Sequence, residues 1–258
     1  FIARTALFAR QQGYMKDLPA LLTAVLSVRG PGLMAEVFDR VIDDGRMLRN
    51  FVQIMRSGAV GRKSLGTLPK RLVLEWLEGR SDEALFRASI GNDPSLADII
   101  RMVHPKPHSE SRKALYAYLV GRDYTAEALP QVVQQFEAFK AGGTNVVPDV
   151  PFQLLTSLPL TKRHWQDIAR RAPWQMTRMN LNTFARHDIF TDKTLVREIA
   201  GRLRNETLIE NAKVFPYQLM TAYSQTDQSV PGAIREALQD AMEIAIRNVP
   251  RIDGQVYV

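Results

Sequence analysis

Apolar residues recur at steps of three and four along nearly the whole chain, which is the spacing of one face of an α-helix. The clearest stripes run through residues 33–55, 129–139, 195–203 and 234–249. A half-buried β-strand would instead alternate apolar and polar residues, and such alternation is rare in this sequence. The pattern therefore predicts an all-α protein in which these stripes form the core.

Proline, glycine and capping residues divide the pattern into about fourteen helices of roughly ten to eighteen residues. Asp93-Pro94 places a capping residue before a proline, and Thr161 and Thr191 are predicted N-caps. Pro231 is predicted to open the last long helix. Hairpins of about 40 residues with short connections indicate an α-solenoid, although no clear sequence repeat accompanies them.

The composition removes several classes of function. The chain of 258 residues contains no cysteine, so it has no disulfide, thiolate nucleophile, cysteine-ligated zinc or iron–sulfur cluster. Apolar residues never fill the ~20 consecutive positions of a membrane span, so no membrane-spanning helix is expected. A cytoplasmic location fits these features, and the absence of cysteine is also compatible with secretion.

Positive charge is concentrated in the first two thirds of the chain. The net charge is +7, to which residues 1–100 contribute +3, residues 101–190 contribute +5 and residues 191–258 contribute −1. Residues 45–74 hold seven cations and no acid, and smaller basic clusters occupy residues 101–113 and 162–187. The cations taken from these clusters as candidate phosphate ligands are Arg62, Lys63, Lys70, Arg71, Arg101, Lys106, Arg112, Lys113 and Arg178.

A long basic segment without acids favours a partner that carries phosphates, because each neutralised phosphate releases condensed counterions. A solvated charged face is the simpler alternative for any one cluster. A membrane surface is less favoured, because the cations are spread over many segments rather than on one amphipathic helix or a compact tail. The charge pattern by itself thus points to nucleic acid.

Motifs for catalysis and cofactor binding are missing from the sequence. It has no GxxxxGKS/T loop, no GxGxxG between a strand and a helix, no HExxH and no GxSxG. His104 and His108 have the spacing of two metal ligands on a helix, but Pro105 and Pro107 between them prevent that helix. We therefore expect no enzyme activity, no metal and no cofactor.

The segment Arg101–Pro107, RMVHPKP, resembles the R-L-S-H-L-K-P element of the TROVE domain of Ro autoantigens and their bacterial homologues. Four further stretches resemble that family in order and spacing. They are TALFARQQ near the start, VGRKSLGTLPKRLVLEWL at 60–77, the P-x6-N-L pattern of 173–181 and KVFPYQLMTA at 213–222. The resemblance covers almost the whole chain and rests on the order of motifs that are weak singly.

The resemblance implies a particular fold and function. The TROVE domain is a closed ring of HEAT-like helical hairpins that binds small non-coding Y RNAs on its basic outer surface. It admits the single-stranded 3′ ends of misfolded RNA into its central hole, which implies RNA quality control and an exoribonuclease as a further candidate partner. The residues that the resemblance implicates in RNA binding are His104, Arg101 and Lys106, followed by Arg87, Lys70, Arg71 and Asn180.

Three differences set this chain apart from the family pattern. Pro105 replaces an apolar residue and stiffens its loop, and Gly91 falls where the family has a cation. The segment 61–69 is longer than its family counterpart, so Arg62 and Lys63 do not align securely. Part of the Y RNA surface is therefore expected to be weaker here.

Family members continue into a von Willebrand factor A-like domain that holds a divalent ion. We expect residues 1–252 to form the TROVE-like domain and residues 253–258 to begin the first strand of that following domain. The metal-binding motif of that domain is not in this sequence. The chain opens in a helical pattern without an initiator Met, so we also expect further residues upstream.

The rival interpretation is an α-solenoid scaffold. Such a protein would bind other proteins through apolar grooves and would bind RNA only weakly and without specificity. Partners that survive treatment of a lysate with RNase would favour it.

Overall fold

A computed structural model describes residues 1–61 and 63–249 of the chain. Those residues form seventeen α-helices and three short 3₁₀ turns, and they contain no β-strand. The all-α class expected from the hydrophobic pattern is therefore confirmed. Arg62 and the strand expected at 253–258 lie outside the described residues and stay predictions.

The chain divides into two units. Unit 1 comprises Phe1–Thr144 and Pro148–Leu158, and unit 2 comprises Asn145–Val147 and the residues from Pro159 onward. The helices of unit 1 are α1 (Ile2–Gln11), α2 (Asp17–Arg29), α3 (Pro31–Val41), α4 (Gly45–Ser57), α5 (Thr67–Glu78), α6 (Asp82–Ala88), α7 (Leu96–Val103), α8 (Glu110–Val120), α9 (Gln131–Lys140) and α10 (Phe152–Leu155). Those of unit 2 are α11 (Lys162–Arg171), α12 (Trp174–Met179), α13 (Leu181–Arg186), α14 (Lys193–Leu203), α15 (Glu206–Ala212), α16 (Pro216–Ser224) and α17 (Gly232–Ala245).

Unit 1 is built from helices that pack against their neighbours in sequence, as in α1 with α2, α2 with α3 and α7 with α8. The apolar stripe of α4 supplies much of its core, since Leu48, Phe51, Val52 and Met55 are fully buried. The Phe51 ring meets Phe38 of α3 edge to face, with 5.1 Å between the ring centroids. Each such side chain contributes about 1.5–3 kcal/mol by leaving water, so this stripe anchors the unit.

Unit 2 is centred on its last long helix, α17, which packs against α14, α15 and α16. Ile234, Leu238 and Ala245 are fully buried along one face of α17, and Leu195 and Ile199 of α14 are equally buried. These are the stripes that the three- and four-residue spacing predicted. They support α12 and α16, which together with α13 line a cavity described below.

Helix starts agree only partly with the predicted caps. Thr161 caps α11 as expected, because its hydroxyl accepts from the His164 amide at 3.3 Å. The prediction of a helix start at Asp93-Pro94 is wrong, since α7 is capped by Ser95, whose hydroxyl accepts from the Asp98 amide at 3.1 Å. The cap of α14 is Asp192, one residue beyond the predicted Thr191. The carboxylate of Asp192 accepts two amide hydrogen bonds, which makes it the stronger cap.

Candidate functional site

A groove of about 730 Å³ lies beside the start of α5 in unit 1. Four cations line it, namely Arg56, Lys63, Lys70 and Arg71, together with Met102 of α7. No carboxylate lines this basic groove among the described residues. Arg71 pairs across one helical turn with the exposed Glu75 at 3.4 Å. Such an exposed pair is weak, so the groove keeps a positive potential.

The backbone at the start of α5 adds to this potential. Gly66, a groove residue with φ of 75°, precedes α5 in a conformation that only glycine adopts without strain. No side chain caps the helix, so its first amide groups are left for a ligand or water. The helix dipole places partial positive charge at this end, next to the four cations.

The His104 loop, which we define as residues 104–109, begins where α7 ends. His104 has φ of 53°, and its amide closes the helix by donating to the carbonyl of Ile100 at 2.9 Å. The imidazole is exposed, as expected for a ligand-facing residue and also for a simple helix cap. Pro105 and Pro107 follow, and the helix stops as their positions predict.

A cavity of about 260 Å³ opens beside the His104 loop. Its floor is apolar and includes Tyr116, whereas Arg101, His104, Lys113 and Arg122 supply its polar groups. Because Met102 of the basic groove lies on α7 between Arg101 and His104, the two concave surfaces share one helix. Cations on an apolar floor suit an unpaired base next to a phosphate.

Two of these cations also hold neighbouring carboxylates. Arg101 pairs with Asp98 at 3.3 Å and donates to the carbonyl of Val120 at 2.7 Å. Lys113 pairs with Glu110 at 3.5 Å. Both cations remain more than half exposed, at 53% and 65% of their side-chain surface, so they can still meet a phosphate. Exposed pairs of this kind exchange partners at little cost.

Lys106, the other cation of the His104 loop, is exposed and lines neither cavity. Arg87 is far more engaged. Its guanidinium pairs with Glu83 at 3.0 Å and Asp149 at 2.8 Å, and it donates to the Asp149 carbonyl as well. Two carboxylates neutralise this cation, so the structure gives it little positive potential to offer RNA.

Among the described residues, Arg112 has the most buried side chain of the predicted RNA ligands, and its contacts give it a structural role. Its side chain is only 3% exposed and pairs with Asp82. It also donates to the carbonyls of Leu77 at 2.9 Å and Arg80 at 2.5 Å, and to the hydroxyl of Tyr116 at 3.3 Å. These bonds occupy the guanidinium, so Arg112 holds α8 against the end of α5 and does not face a ligand.

Arg178 and Asn180 belong to unit 2. Asn180 lies between α12 and α13 and donates from its side-chain amide to the carbonyl of Met176 at 2.8 Å. Arg178 is half-buried and lines a separate cavity of about 270 Å³. Unit 1 and unit 2 therefore each contain predicted residues, and the concave basic surfaces described above lie in unit 1.

Two cations that line these surfaces were not among the predicted ligands. Arg56 lies in the last turn of α4 and contributes to the basic groove, and Arg122 follows the helix-ending Gly121 and contributes to the His104 cavity. Arg56 lies within the acid-free basic segment, which is the only sequence signal for it. No sequence signal points to Arg122, because its position in the cavity depends on the packing of α7 against α8.

Neither a metal centre nor a membrane segment is found in residues 1–61 and 63–249. Those residues contain no group of three or more His, Asp or Glu side chains arranged to hold a metal ion. None of their helices combines the length and apolar character needed to cross a bilayer.

These elements define an all-α helical-repeat protein with a basic, concave surface. No protein-family model and no curated protein matches the sequence. Among solved structures, the chain is similar to the crystal structure of the Ro (RSR) protein from Deinococcus radiodurans, with a TM-score of 0.67 and 18% identity. The alignment covers 96% of this chain and 56% of that one, so the chain spans little more than half the length of that protein.

The likeness to a Ro protein confirms the predicted resemblance at the level of the fold. It supports a helical-repeat architecture of the Ro/TROVE type for residues throughout the chain. The assignment of residues 1–252 to one such domain, and the roles of the predicted RNA-binding residues, stay predictions.

Proposed function

We propose that this chain binds RNA through the basic groove and the His104 loop of unit 1. The observation that supports this most directly is a groove of about 730 Å³ with four cations and no described carboxylate in its lining. The volume of the groove falls within the range of ligand pockets. The uncapped start of α5 beside it supplies amide donors as well. A structured small RNA of the Y RNA type is the ligand that the resemblance suggests.

The basic groove and the His104 cavity would bind different parts of such an RNA. Lys63, Lys70 and Arg56 meet phosphates, because they carry charge at a groove whose described lining contains no competing acid. The His104 cavity takes an unpaired base, which stacks on the imidazole or on Pro105 while Arg101 holds its phosphate. Selection would rest on RNA shape and unpaired nucleotides rather than on reading base pairs.

The wider role that we propose is quality control of non-coding RNA. In this role the single-stranded 3′ end of misfolded RNA enters a central hole, and an exoribonuclease acts as a partner. Support for these two steps comes from the sequence resemblance. Sequencing of RNA that co-purifies with the chain tests them, and recovery of 3′-extended or misfolded small RNAs is the expected result.

Fluorescence anisotropy of a labelled, structured RNA with a 3′ tail tests the proposed binding surface. We expect affinity to fall as salt rises, with a slope in log K of roughly 0.7 per neutralised phosphate for single strands. Blunt duplex RNA of equal length serves as the matched competitor and should displace the probe poorly. Affinity that is independent of salt would contradict the proposal.

Protein binding is the second candidate, and one observation favours it. Exposed apolar side chains occur on α1, on α2 and in the turn between them, where Phe8, Met15, Leu18 and Leu21 are 66%, 48%, 42% and 38% exposed. A pull-down from lysate with and without RNase separates the candidates. Partners that are lost with RNase support RNA binding, and partners that persist support a scaffold.

A further inference from the structure

Arg178 of α12 is half-buried, and no carboxylate among the described residues pairs with it. Its Nη1 donates to the carbonyl of Gln218 at 3.0 Å, while its Nε is buried without a hydrogen-bond partner. Burial lowers the pKa of this guanidinium, and no acidic side chain opposes that effect. A cation removed from water without a counterion costs free energy, so its retention needs an explanation.

The comparison with similar arginines shows that this is not a general feature of the fold. Arg112 pairs with Asp82, and the charges of Asp44 and Glu198 act on Arg49 and Arg202. Each of these three arginines thus has a nearby negative charge that partly compensates its burial. Within residues 1–61 and 63–249 no such charge acts on Arg178, and a bound anion would supply one.

The cavity beside Arg178 has a lining suited to such an anion. It measures about 270 Å³ and lies between the segment 178–182 and α16, and its described lining contains no Asp or Glu. Gln218 uses its side-chain oxygen to accept from the amide of Phe215 at 3.0 Å, which leaves its amide nitrogen as a donor. Gln225, at the end of α16, adds a second side-chain amide. Amide donors and one guanidinium together recognise phosphate oxygens.

The same cavity also presents hydrogen-bond acceptors. The hydroxyls of Thr221 and Thr226 donate to the carbonyls of Tyr217 and Ala222 at 2.9 and 2.6 Å. Their oxygen lone pairs are therefore free to accept from a ligand hydroxyl. A phosphate that carries a ribose offers such hydroxyls, whereas a fully ionised anion offers none.

We propose that the Arg178 cavity binds one phosphate group with its attached ribose. The cavity is smaller than most ligand pockets, so it fits a single sugar–phosphate unit rather than a longer segment. If the unit belongs to RNA, the inference rests on the proposed function and adds a contact in unit 2. If it is a free sugar phosphate, the site is independent of the proposed RNA binding.

Two probes and one pair of variants test this site. Ribose 5-phosphate and a short oligouridylate are titrated into the full chain and followed by calorimetry and by amide NMR shifts. Arg178→Met removes the charge and keeps the volume, and Arg186→Met is the control, since Arg186 is exposed and lines no described cavity. We expect Arg178→Met to bind ribose 5-phosphate at least tenfold more weakly, and Arg186→Met to bind as the parent does.

The outcomes separate the two sources of the phosphate. Loss of both ribose 5-phosphate and oligouridylate binding in Arg178→Met supports an RNA contact, and loss of the first alone supports a free sugar phosphate. Gln225→Ala, at an exposed residue, should weaken binding severalfold without affecting folding. Equal affinity of the parent, Arg178→Met and Gln225→Ala overturns the proposal. The double variant Lys63→Ala with Lys70→Ala should leave ribose 5-phosphate binding intact. A failure of the proposed RNA binding by the basic groove is therefore distinguishable from a failure of the Arg178 cavity to bind its ligand.

Discussion

At the scale of single residues, His104 combines a backbone role and a side-chain role that can be separated. Its φ of 53° places it in the left-handed region, where a non-glycine residue costs roughly 1–2 kcal/mol. Its imidazole contacts solvent rather than the core. The residue therefore gives the fold only a helix end, which glycine would provide with less strain.

We predict that His104→Gly keeps or slightly raises stability and weakens RNA binding. Relief of strain is worth about 1 kcal/mol and is partly offset by the greater freedom of glycine in the unfolded chain. Loss of a stacking base contact should reduce affinity roughly fivefold or more. Thermal unfolding and anisotropy on the same preparation check both parts. A destabilised variant with unchanged affinity would show that His104 is only a cap.

The backbone at Gly91, where the resemblance implies a cation, disfavours a long charged side chain. It has φ of +111°, and a Cβ built there would lie 2.7 Å from a terminal nitrogen of the Arg49 guanidinium. A lysine or arginine at this position would be strained and would bring a second positive charge beside Arg49. The expected loss of a family cation at position 91 thus has a local physical reason.

At the scale of helices, side-chain donors tie the ends of helices to their neighbours. The Trp76 indole donates to the Ile42 carbonyl at 2.6 Å, and the Trp174 indole donates to the Leu203 carbonyl at 3.1 Å. The Arg112 guanidinium likewise donates to the carbonyls of Leu77 and Arg80, which lie just before and just after the end of α5. Helix ends leave carbonyls without partners, so these donors make successive helices mutually dependent.

The Asp82–Arg112 pair at the start of α6 should make stability depend on pH. Partial burial raises the pKa of Asp82, but hydrogen bonds from Ser111 and Arg112 lower it by more, so it lies below its usual range. A depressed carboxyl pKa stabilises the fold above about pH 4, the unfolded value, and this contribution is lost as pH falls through the folded value. Asp82→Asn should therefore cost about 3 kcal/mol at pH 7 and less at pH 3.

Urea unfolding at pH 7, 5 and 3 measures this difference. Glu110→Gln is the matched control, because Glu110 forms an exposed pair with Lys113 and should matter little at any pH. If the free energies of unfolding of the parent and Asp82→Asn differed by the same amount from pH 7 to pH 3, that result would contradict the role given to the ionised carboxylate.

The helical pattern predicted most elements and missed their fine divisions. The prediction of Thr161 as a cap is confirmed, because a threonine directly before a periodic stripe supplies the side-chain oxygen that an N-cap needs. The sequence does not single out Ser95 as the N-cap, because Asp93-Pro94, two residues earlier, is the stronger signal for a helix start. Short helices such as α12 and α13 have six residues each, too few for periodicity to show. Arg112 could not be told from a solvated arginine, because its partners at residues 77–82 are distant in sequence.

At the scale of the whole molecule, net charge does not distinguish the two units. From the sequence, unit 1 carries a net charge of +4 and unit 2 carries +3. What differs is arrangement, since the groove with four cations and no described carboxylate lies in unit 1. An electrostatic account based on total charge and one based on the groove therefore make different predictions.

Two double variants with the same net charge separate these accounts. Lys63→Ala with Lys70→Ala removes two cations from the basic groove, and Lys16→Ala with Lys193→Ala removes two exposed lysines outside every described cavity. Each double variant lowers the net charge from +7 to +5. If the groove positions phosphates, only the first variant should lose affinity, and its slope of log K against log salt should fall by roughly 1.5. Equal losses would mean that RNA responds to the overall field of the protein, and the groove would then have no special part in binding.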